Sequence, residues 1–480
     1  MSSANPRRWS ALAVIALAQF MVIMDTSIIG VALPKIQADV GFTPDSLSWV
    51  FNAYVIAFGG LLLLGGRLSD LYGAKRVFSF GWAILAVGSL AAGLADSTGV
   101  EIAARAAQGA GAALIAPSAL TLLMMLFGSN PKELTKAFAI YGAAAPAGGT
   151  AGVFLGGVIT EWISWPWVFY VNLPIALLVL ALTPGLMPSA PVRRGSIDVA
   201  GAITATAGLA LTVFGIVRAP EQGWGSLETL VSIAGGLALL AAFVVLQAGR
   251  REPLMRLSIL RTPNLAAANI AQLLLGAAWI PMWFFLNLYL QQVLGYGAFE
   301  GGAALLPMTI TIMVLMVVVA PRVIARFGPK MPIVAGMLLL AAGMAVLSLA
   351  RADGNFVVDV LPASLIAATG MALAFIPSLG TAISSAKPEE GGLASGIVNT
   401  SYQVGSALGL AAMTALASAQ GADQLGDVGA LTDGYSAAFL GAAGIALAGA
   451  LLAAILLRAP KATSSGSSQP AADDREPIAA

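Results

Sequence analysis

The sequence predicts an all-α polytopic membrane protein of fourteen transmembrane helices in two related six-helix halves with two further helices between them. Three observations carry that prediction. The 480 residues are 58% hydrophobic and 10% charged, with a mean hydropathy of +0.88, whereas soluble chains run at about 45 to 50% apolar and about 25% charged. Apolar runs of about 20 residues recur along the chain, the length needed to cross roughly 30 Å of hydrocarbon. Motifs of the first half also return in order in the second.

The first run, Trp9 to Leu33, follows Arg7 and Arg8 and carries no small-residue cleavage site. It therefore reads as a retained helix rather than a signal peptide. Spans two and three, Ser48 to Gly66 and Val77 to Ala95, flank a short charged turn with glycine at each end. Val100 to Phe127, Ala137 to Thr160 and Trp167 to Met187 complete the first six, and Val199 to Val217 and Leu230 to Gly249 are the inserted pair. The second six are Leu265 to Leu294, Gly302 to Ala320, Met331 to Ala350, Val357 to Ile383, Ala394 to Ser418 and Gly434 to Leu457. This divides the chain into a bundle at 1–188, the inserted helices with their linker at 189–262, a second bundle at 263–458 and a tail at 459–480. The tail is rich in Ser, Pro and acids and is expected to be disordered.

Placing the amino terminus in the cytoplasm puts 20 of the 24 Lys and Arg on the alternate loops and tails that share that side. Lys35, Arg218 and Arg351 fall on the other side and Arg105 inside a span, a partition that the positive-inside rule requires of a correct span count. Both termini are therefore expected in the cytoplasm. The net charge of +1 gives no reason to expect a nucleic-acid partner. Without Cys or His there is no disulfide, thiolate or imidazole metal site, His-dependent nucleophile or histidine proton relay. No phosphate-binding G-x-x-x-x-G-K-[ST] loop occurs either. The expectation is a non-enzymatic protein with no cofactor and no metal, in which any proton chemistry uses carboxylates.

The internal repeat links each span to the one eight places later. Pro117-Ser118-Ala119-Leu120-Thr121 returns as Pro377-Ser378-Leu379-Gly380-Thr381, Gly73-Ala74-Lys75 as Gly328-Pro329-Lys330, and the ladder Gly148, Gly152, Gly156 as Ser401, Gly405, Gly409, at offsets of 253 to 260 residues. Two parallel halves around a midplane site is a transporter architecture.

Asp25 is the sharpest candidate. It lies roughly 24 Å along the helix from Trp9 and about 12 Å from Leu33, and burying such a charge costs about 2.5 to 3.5 kcal/mol on insertion scales. A protonation switch and a permanently protonated helix-to-helix hydrogen bond are the two readings. Arg105 enters its span from the same side, so the two residues can meet, either as a switch remade between states or as a fixed bridge. Asp25 is taken as the only acid well inside a span, which disfavours doubly charged solutes, while Glu101 and Glu161 near span ends read as solvated rim charges. Gly148, Gly152 and Gly156, with Ala144 before them, form a smooth ridge for close helix packing. Trp279, Trp283, Asn287, Tyr289 and Gln291 form an aromatic and amide mixture suited to an apolar solute, to which Asn52, Tyr54, Asn399 and Gln403 add polar groups. Interfacial aromatic belts explain the Trp and Tyr equally well.

The motifs then point to a family. Met24-Asp25-Thr26-Ser27-Ile28-Ile29-Gly30-Val31-Ala32-Leu33-Pro34 resembles the first-helix signature of the fourteen-span drug:proton antiporters of the major facilitator superfamily. Gly66-Arg67-Leu68-Ser69-Asp70-Leu71-Tyr72-Gly73-Ala74-Lys75-Arg76 resembles the superfamily's loop between spans two and three. Arg105 with Gln108-Gly109-Ala110-Gly111 is similar to the motif of span four, and Trp165-Pro166-Trp167-Val168-Phe169 with Asn172-Leu173-Pro174 to the entry of span six. Where the span-five motif normally has Gly-Pro, this chain has Gly152-Val153, with Pro146 two turns earlier.

The resemblance implies a major facilitator fold and proton-coupled efflux of lipophilic small molecules, such as drugs or antibiotics, by alternating access. Asp25 and Arg105 would couple the proton, and Gly66, Asp70, Gly73, Lys75 and Arg76 would latch the gate, with Asp70 at a helix amino terminus and Lys75 or Arg76 on a carboxylate. The glycine ridge would repack between states, and Gln108 would join the polar contacts to substrate. The protein would be a multi-pass monomer of a bacterial cytoplasmic membrane, with lipophilic solutes, protons and lipid as partners and the proton gradient in place of a cofactor. A dedicated exporter of one metabolite or lipid, and a non-transporting membrane receptor or assembly partner, are the alternatives.

Overall fold

Residues 7–189, 198–250, 253, 257–386 and 391–458 are described by the computed structural model. The tail at 459–480 and most of the linker bases lie outside them. The long helices are α1 (Arg8–Val40), α2 (Trp49–Tyr72), α3 (Ala74–Gly93), α4 (Thr98–Phe127), α5 (Pro131–Trp162), α6 (Trp167–Leu186), α7 (Val199–Gln222) and α8 (Leu227–Gly249). The rest are α9 (Asn264–Val293), α10 (Ala298–Phe327), α11 (Lys330–Leu347), α12 (Phe356–Ser385), α13 (Gly391–Ala417) and α14 (Val428–Leu456). Thirteen of these meet the length and hydropathy of a membrane span among the described residues, and α13 is the fourteenth long helix.

The first helix departs from its expected end. The charged stretch after Pro34 reads as a connection, yet α1 runs through it to Val40, with Ile36, Gln37 and Val40 buried. It stops at Gly41, whose φ of +82° is a left-handed cap suited to glycine. Asp25 is therefore near the middle of its helix. The turn between α2 and α3 is a single residue, Gly73 at φ +90°, a conformation that a side chain there would strain.

In the first half α5 packs along α1, and α2 and α3 along α4, while in the second α13 packs along α9 and α11 along α12. Lipid offers no hydrophobic drive between helices, so association depends on close van der Waals packing. The glycine ridge supplies it. A Cβ built on Gly152 would lie 2.8 Å from the Met24 carbonyl oxygen and one on Gly156 2.7 Å from that of Ile28, while Gly148 abuts the Phe20 carbonyl. Gly405 and Gly409 of α13 meet the carbonyls of Leu273 and Ala277 on α9 in the same manner. The sequence repeat is thus a repeat of backbone-on-backbone contacts.

The two halves meet where α5 crosses α10 and where α2 crosses α13. At the end of the bundle where α1 finishes, here the Val40 end, the seam is polar as well as packed. Gln291 donates to the Val31 carbonyl (3.1 Å), Gln292 to Gln37 (3.0 Å) and the Ala298 amide to Glu161 (2.9 Å), and Ser418 donates to Asp45. A π-helical turn over Tyr289–Val293 shifts the phase of α9 there.

The inserted helices α7 and α8 pack on each other, and α7 touches both α2 and α13. At the base of the pair, the buried Asp198 caps α7 by accepting from the Gly201 amide (2.8 Å) and also receives Gln247 (2.6 Å) and Arg250 (3.1 Å). An apolar cavity of about 230 Å³ lies beside them, lined by Gly59, Leu209, Leu240, Phe243, Leu273 and Val404 among others.

Candidate functional site

Asp25 sits against Met24, the residue on which the glycine ridge of α5 rests, so its height in the bundle is set by close packing. Its side chain is 1% exposed and faces Arg105, which is fully buried. Arg105 Nη1 lies 2.8 Å from Asp25 Oδ2. On the other oxygen, Asn172 donates to Oδ1 at 2.7 Å and Gln108 at 3.2 Å.

The partners are themselves held. Arg105 Nε donates to the Val50 carbonyl (2.9 Å), and Nη1 also reaches Gln108 Oε1 (2.7 Å). Ser89 Oγ receives both Gln108 (2.8 Å) and Asn172 (3.1 Å). The guanidinium carbon is 4.6 Å from the centre of the Tyr54 ring and 5.9 Å from that of Phe169, favourable cation–π positions. The network therefore joins α1, α2, α3, α4 and α6.

Three donors and no acceptor face Asp25, an arrangement complementary to the carboxylate anion. Taking two ions out of water costs several kcal/mol each, and only good geometry with further hydrogen bonds offsets that cost. Asp25 meets both conditions, and Arg105 meets them at Nε and Nη1 while its buried Nη2 has no hydrogen-bond partner. Protonating Asp25 in place would turn one oxygen from acceptor to donor, so a donor would have to withdraw.

Glu101 corrects an expectation. It is not a solvated rim charge but fully buried, one turn before Arg105 on α4, and neither carboxylate oxygen has a hydrogen-bond partner. Asp25 is accordingly not the only acid inside the bundle. The distance to the span end misled because burial at the start of α4 depends on the face: Gly99 and Val100 are exposed, while Glu101 in the same turn faces the bundle. Glu161 is exposed as expected, but its carboxylate also ties α5 to the start of α10.

The other candidates are spread over several surroundings. Trp279 and Trp283 stack at 6.4 Å between ring centres, and a Cβ on Gly30 of α1 would lie 3.0 Å from Trp283 Nε1 and 3.1 Å from Asn287 Nδ2. That part of α9 lies against α1 about one turn past Asp25. Tyr289 instead donates to the Arg351 carbonyl (2.7 Å), and Gln291 belongs to the seam. Asn52 is buried with its amide unpartnered, as is the Tyr54 hydroxyl. Asn399 donates within its own helix to Ser395 (2.8 Å), and Gln403 packs on Gly59.

In the loop, Gly66 is helical and loosely packed near Pro117, and Arg76 is exposed. Lys75 donates to the Pro184 carbonyl (2.7 Å) at the end of α6, not to a carboxylate. The side chain of Asp70 lies outside the described residues. Asn172 and Ser89 were missed by sequence reasoning. Asn172 stood inside a quoted motif, but nothing marked Ser89.

The model of the Major Facilitator Superfamily matches residues 15–410. The chain is 40% identical over 461 residues to the cephamycin export protein CmcT of Amycolatopsis lactamdurans, covering 95% of this chain and 94% of that protein. It is 36% identical to the puromycin resistance protein pur8 of Streptomyces alboniger, over 94% of this chain and 92% of that one. Among solved structures it is similar to the peptide-transporter-family protein PepTSo, with a TM-score of 0.68 at 16% identity over 95% and 98% of the two chains. The nucleoside transporter NupG superposes with a TM-score of 0.66 at 14% identity, covering 94% and 100%. With its paired halves, buried ion pair and whole-length kinship to export proteins, the chain belongs to the Major Facilitator Superfamily and is a membrane transport protein rather than an enzyme.

Proposed function

We propose that the protein exports lipophilic small molecules across a bacterial cytoplasmic membrane in exchange for inward-moving protons, with both termini cytoplasmic. The observation that carries this reading is the Asp25–Arg105 pair, buried where five helices of one half converge. Relatives named for cephamycin export and puromycin resistance support the substrate class. Uncharged or singly charged compounds with an apolar body fit best, given the aromatic stretch of α9.

In this reading the amino terminus is inside, the Val40 end faces outward, and the hydrogen-bonded seam there supports an inward-facing conformation. Asp25 is then ionised and held by Arg105, Asn172 and Gln108 while substrate enters from the cytoplasm or inner leaflet. Rocking of the α1–α6 bundle against α9–α14 opens the seam, breaks the Gln291 and Gln292 bonds and remakes the ridge between α1 and α5. Asp25 exchanges donors for a proton from outside as substrate leaves. Return to the sealed state restores the three donors and expels the proton inward. The coupling arises because the two states offer Asp25 different partners.

The test is reconstitution in liposomes under an imposed pH gradient, with proton release recorded on adding puromycin and a panel of unrelated lipophilic compounds. Flux triggered by several compounds in wild type and lost in Asp25→Asn supports the reading. Full proton-coupled efflux by D25N removes Asp25 from the mechanism, and flux with a single compound favours a dedicated exporter.

A further inference from the structure

Glu101 is a buried acid that this cycle does not use. It stands four residues before Arg105, the spacing that brings two side chains together on one helix face, with Glu on the amino-terminal side as an ion pair prefers. Both of its oxygens are unpartnered, and Arg105 Nη2, on the same face, is unpartnered too. Two complementary groups at a one-turn spacing are thus each left without a partner, while the remaining guanidinium donors are committed to Asp25, Gln108 and Val50. An unpaired carboxylate anion without water or donor is not sustained in such a place. Glu101 also lies one turn nearer the Val40 end than Arg105, on the side from which an external proton arrives. The charged groups that act on it are Arg105 on its own helix and Asp25 on α1, with the Tyr54 ring of α2 across the guanidinium.

We propose that Glu101 is a second proton-carrying carboxylate, and that Arg105 transfers its pairing from Asp25 to Glu101 when Asp25 takes up the proton. The inference rests on the antiport reading above. The step balances within three side chains. The O–H bond of the Glu101 acid breaks, one forms on Asp25, and the guanidinium exchanges one carboxylate for the other without changing charge. The sum of the three charges is zero before and after this exchange. Glu101 is then reprotonated from outside, and Asp25 gives up its proton inward as Arg105 returns to it, which restores the Asp25 carboxylate, the Glu101 acid and a sum of zero.

The test needs no transported compound. Wild type, Glu101→Gln and Asp25→Asn are reconstituted in phosphatidylethanolamine and phosphatidylglycerol vesicles, and the carbonyl stretch of protonated carboxylic acids is recorded by infrared spectroscopy at neutral pH. The expected wild-type spectrum contains a band that E101Q abolishes without lowering the melting temperature. In D25N the same band is lost, because Arg105, deprived of Asp25, pairs with Glu101 and ionises it. A wild type without the band, a band that survives E101Q, or one that persists undiminished in D25N overturns the proposal. Should E101Q unfold, Glu101→Asp is expected to retain a band at a shifted frequency, and an unshifted band then counts against Glu101. Loss of drug-driven proton flux in D25N with the Glu101 band intact defeats only this inference, whereas intact flux in D25N defeats the antiport reading itself.

Discussion

Gly148 of α5 and Phe20 of α1 meet with nothing between them: a methyl group on the glycine would press into the Phe20 carbonyl oxygen. Gly149, the next residue, has room, since its nearest neighbour would be Ser27 Oγ at 3.7 Å. Because the obstacle is backbone, relief requires α1 to move as a rod and carry Asp25 with it.

Gly148→Ala is therefore expected to cost about 1 to 3 kcal/mol by overpacking and to abolish efflux, while Gly149→Ala leaves both nearly unchanged. Thermal unfolding in detergent and efflux from vesicles check the pair. Equal tolerance of both substitutions would mean that the ridge is mere economy of side chains.

Replacing Arg105 alone is expected to be worse than replacing the whole pair. Arg105→Gln leaves Asp25 buried without a cation, a loss of about 3 to 5 kcal/mol, and D25N combined with R105Q recovers much of it. Arg105→Lys also fails, because a single ammonium cannot serve Val50, Gln108 and Asp25 in the fixed fork of a guanidinium. Denaturation of the single and double variants gives the cycle directly.

Asn172→Ala removes the 2.7 Å donor from Asp25 Oδ1 and one of the two donors to Ser89. The expected cost is about 1 to 3 kcal/mol, with slower efflux because the Asp25 carboxylate loses one of its three donors. Ser89→Ala slows efflux less, since Ser89 acts on Asp25 only through the two amides. Thermal unfolding and efflux rates unchanged in both variants would reduce the amides to packing.

These residues mark the limit of what the sequence made legible. Asp25, Arg105 and the ridge stood out because a charge or a spacing in an apolar run has few explanations. Ser89 and Asn172 are small polar groups whose meaning lies in convergence, and no local pattern encodes that α3 and α6 meet at one carboxylate. The end of α1 was misplaced for a related reason. Lys35 to Asp39 reads as a polar loop until the assembled bundle buries Ile36 and Gln292 of the second half pairs with Gln37. Fold class and span positions follow from solvent preference, whereas contacts between distant segments follow from the assembled bundle.

The seam makes its own prediction. The chain has no cysteine, so Thr414→Cys, at a side chain 2% exposed beside the Val40 end, is the sole thiol. Adding Glu161→Ala removes the acceptor for the Ala298 amide and is expected to raise the labelling rate by a membrane-impermeant maleimide several-fold. Gln291→Ala acts likewise, and the two effects multiply where the bonds are independent. Labelling that ignores both substitutions would show that packing alone holds the seam closed.

The helix pair α7 and α8 leans on both halves, through α2 and α13. Gly60 of α2 takes the side chain of Thr206 into a notch that no larger residue would leave open, and beside it lies a void of about 230 Å³ walled by Gly59 and Leu63 of the first half, Leu209 and Leu240 of the pair, and Leu273 and Val404 of the second half. A keyed contact resists shear and a void does not. If the halves rock as proposed, the pair is held at the notch and has clearance at the void, where all three parts of the bundle meet. The cavity would then act as the slack that lets two stiff bodies turn without unseating the hairpin pinned between them.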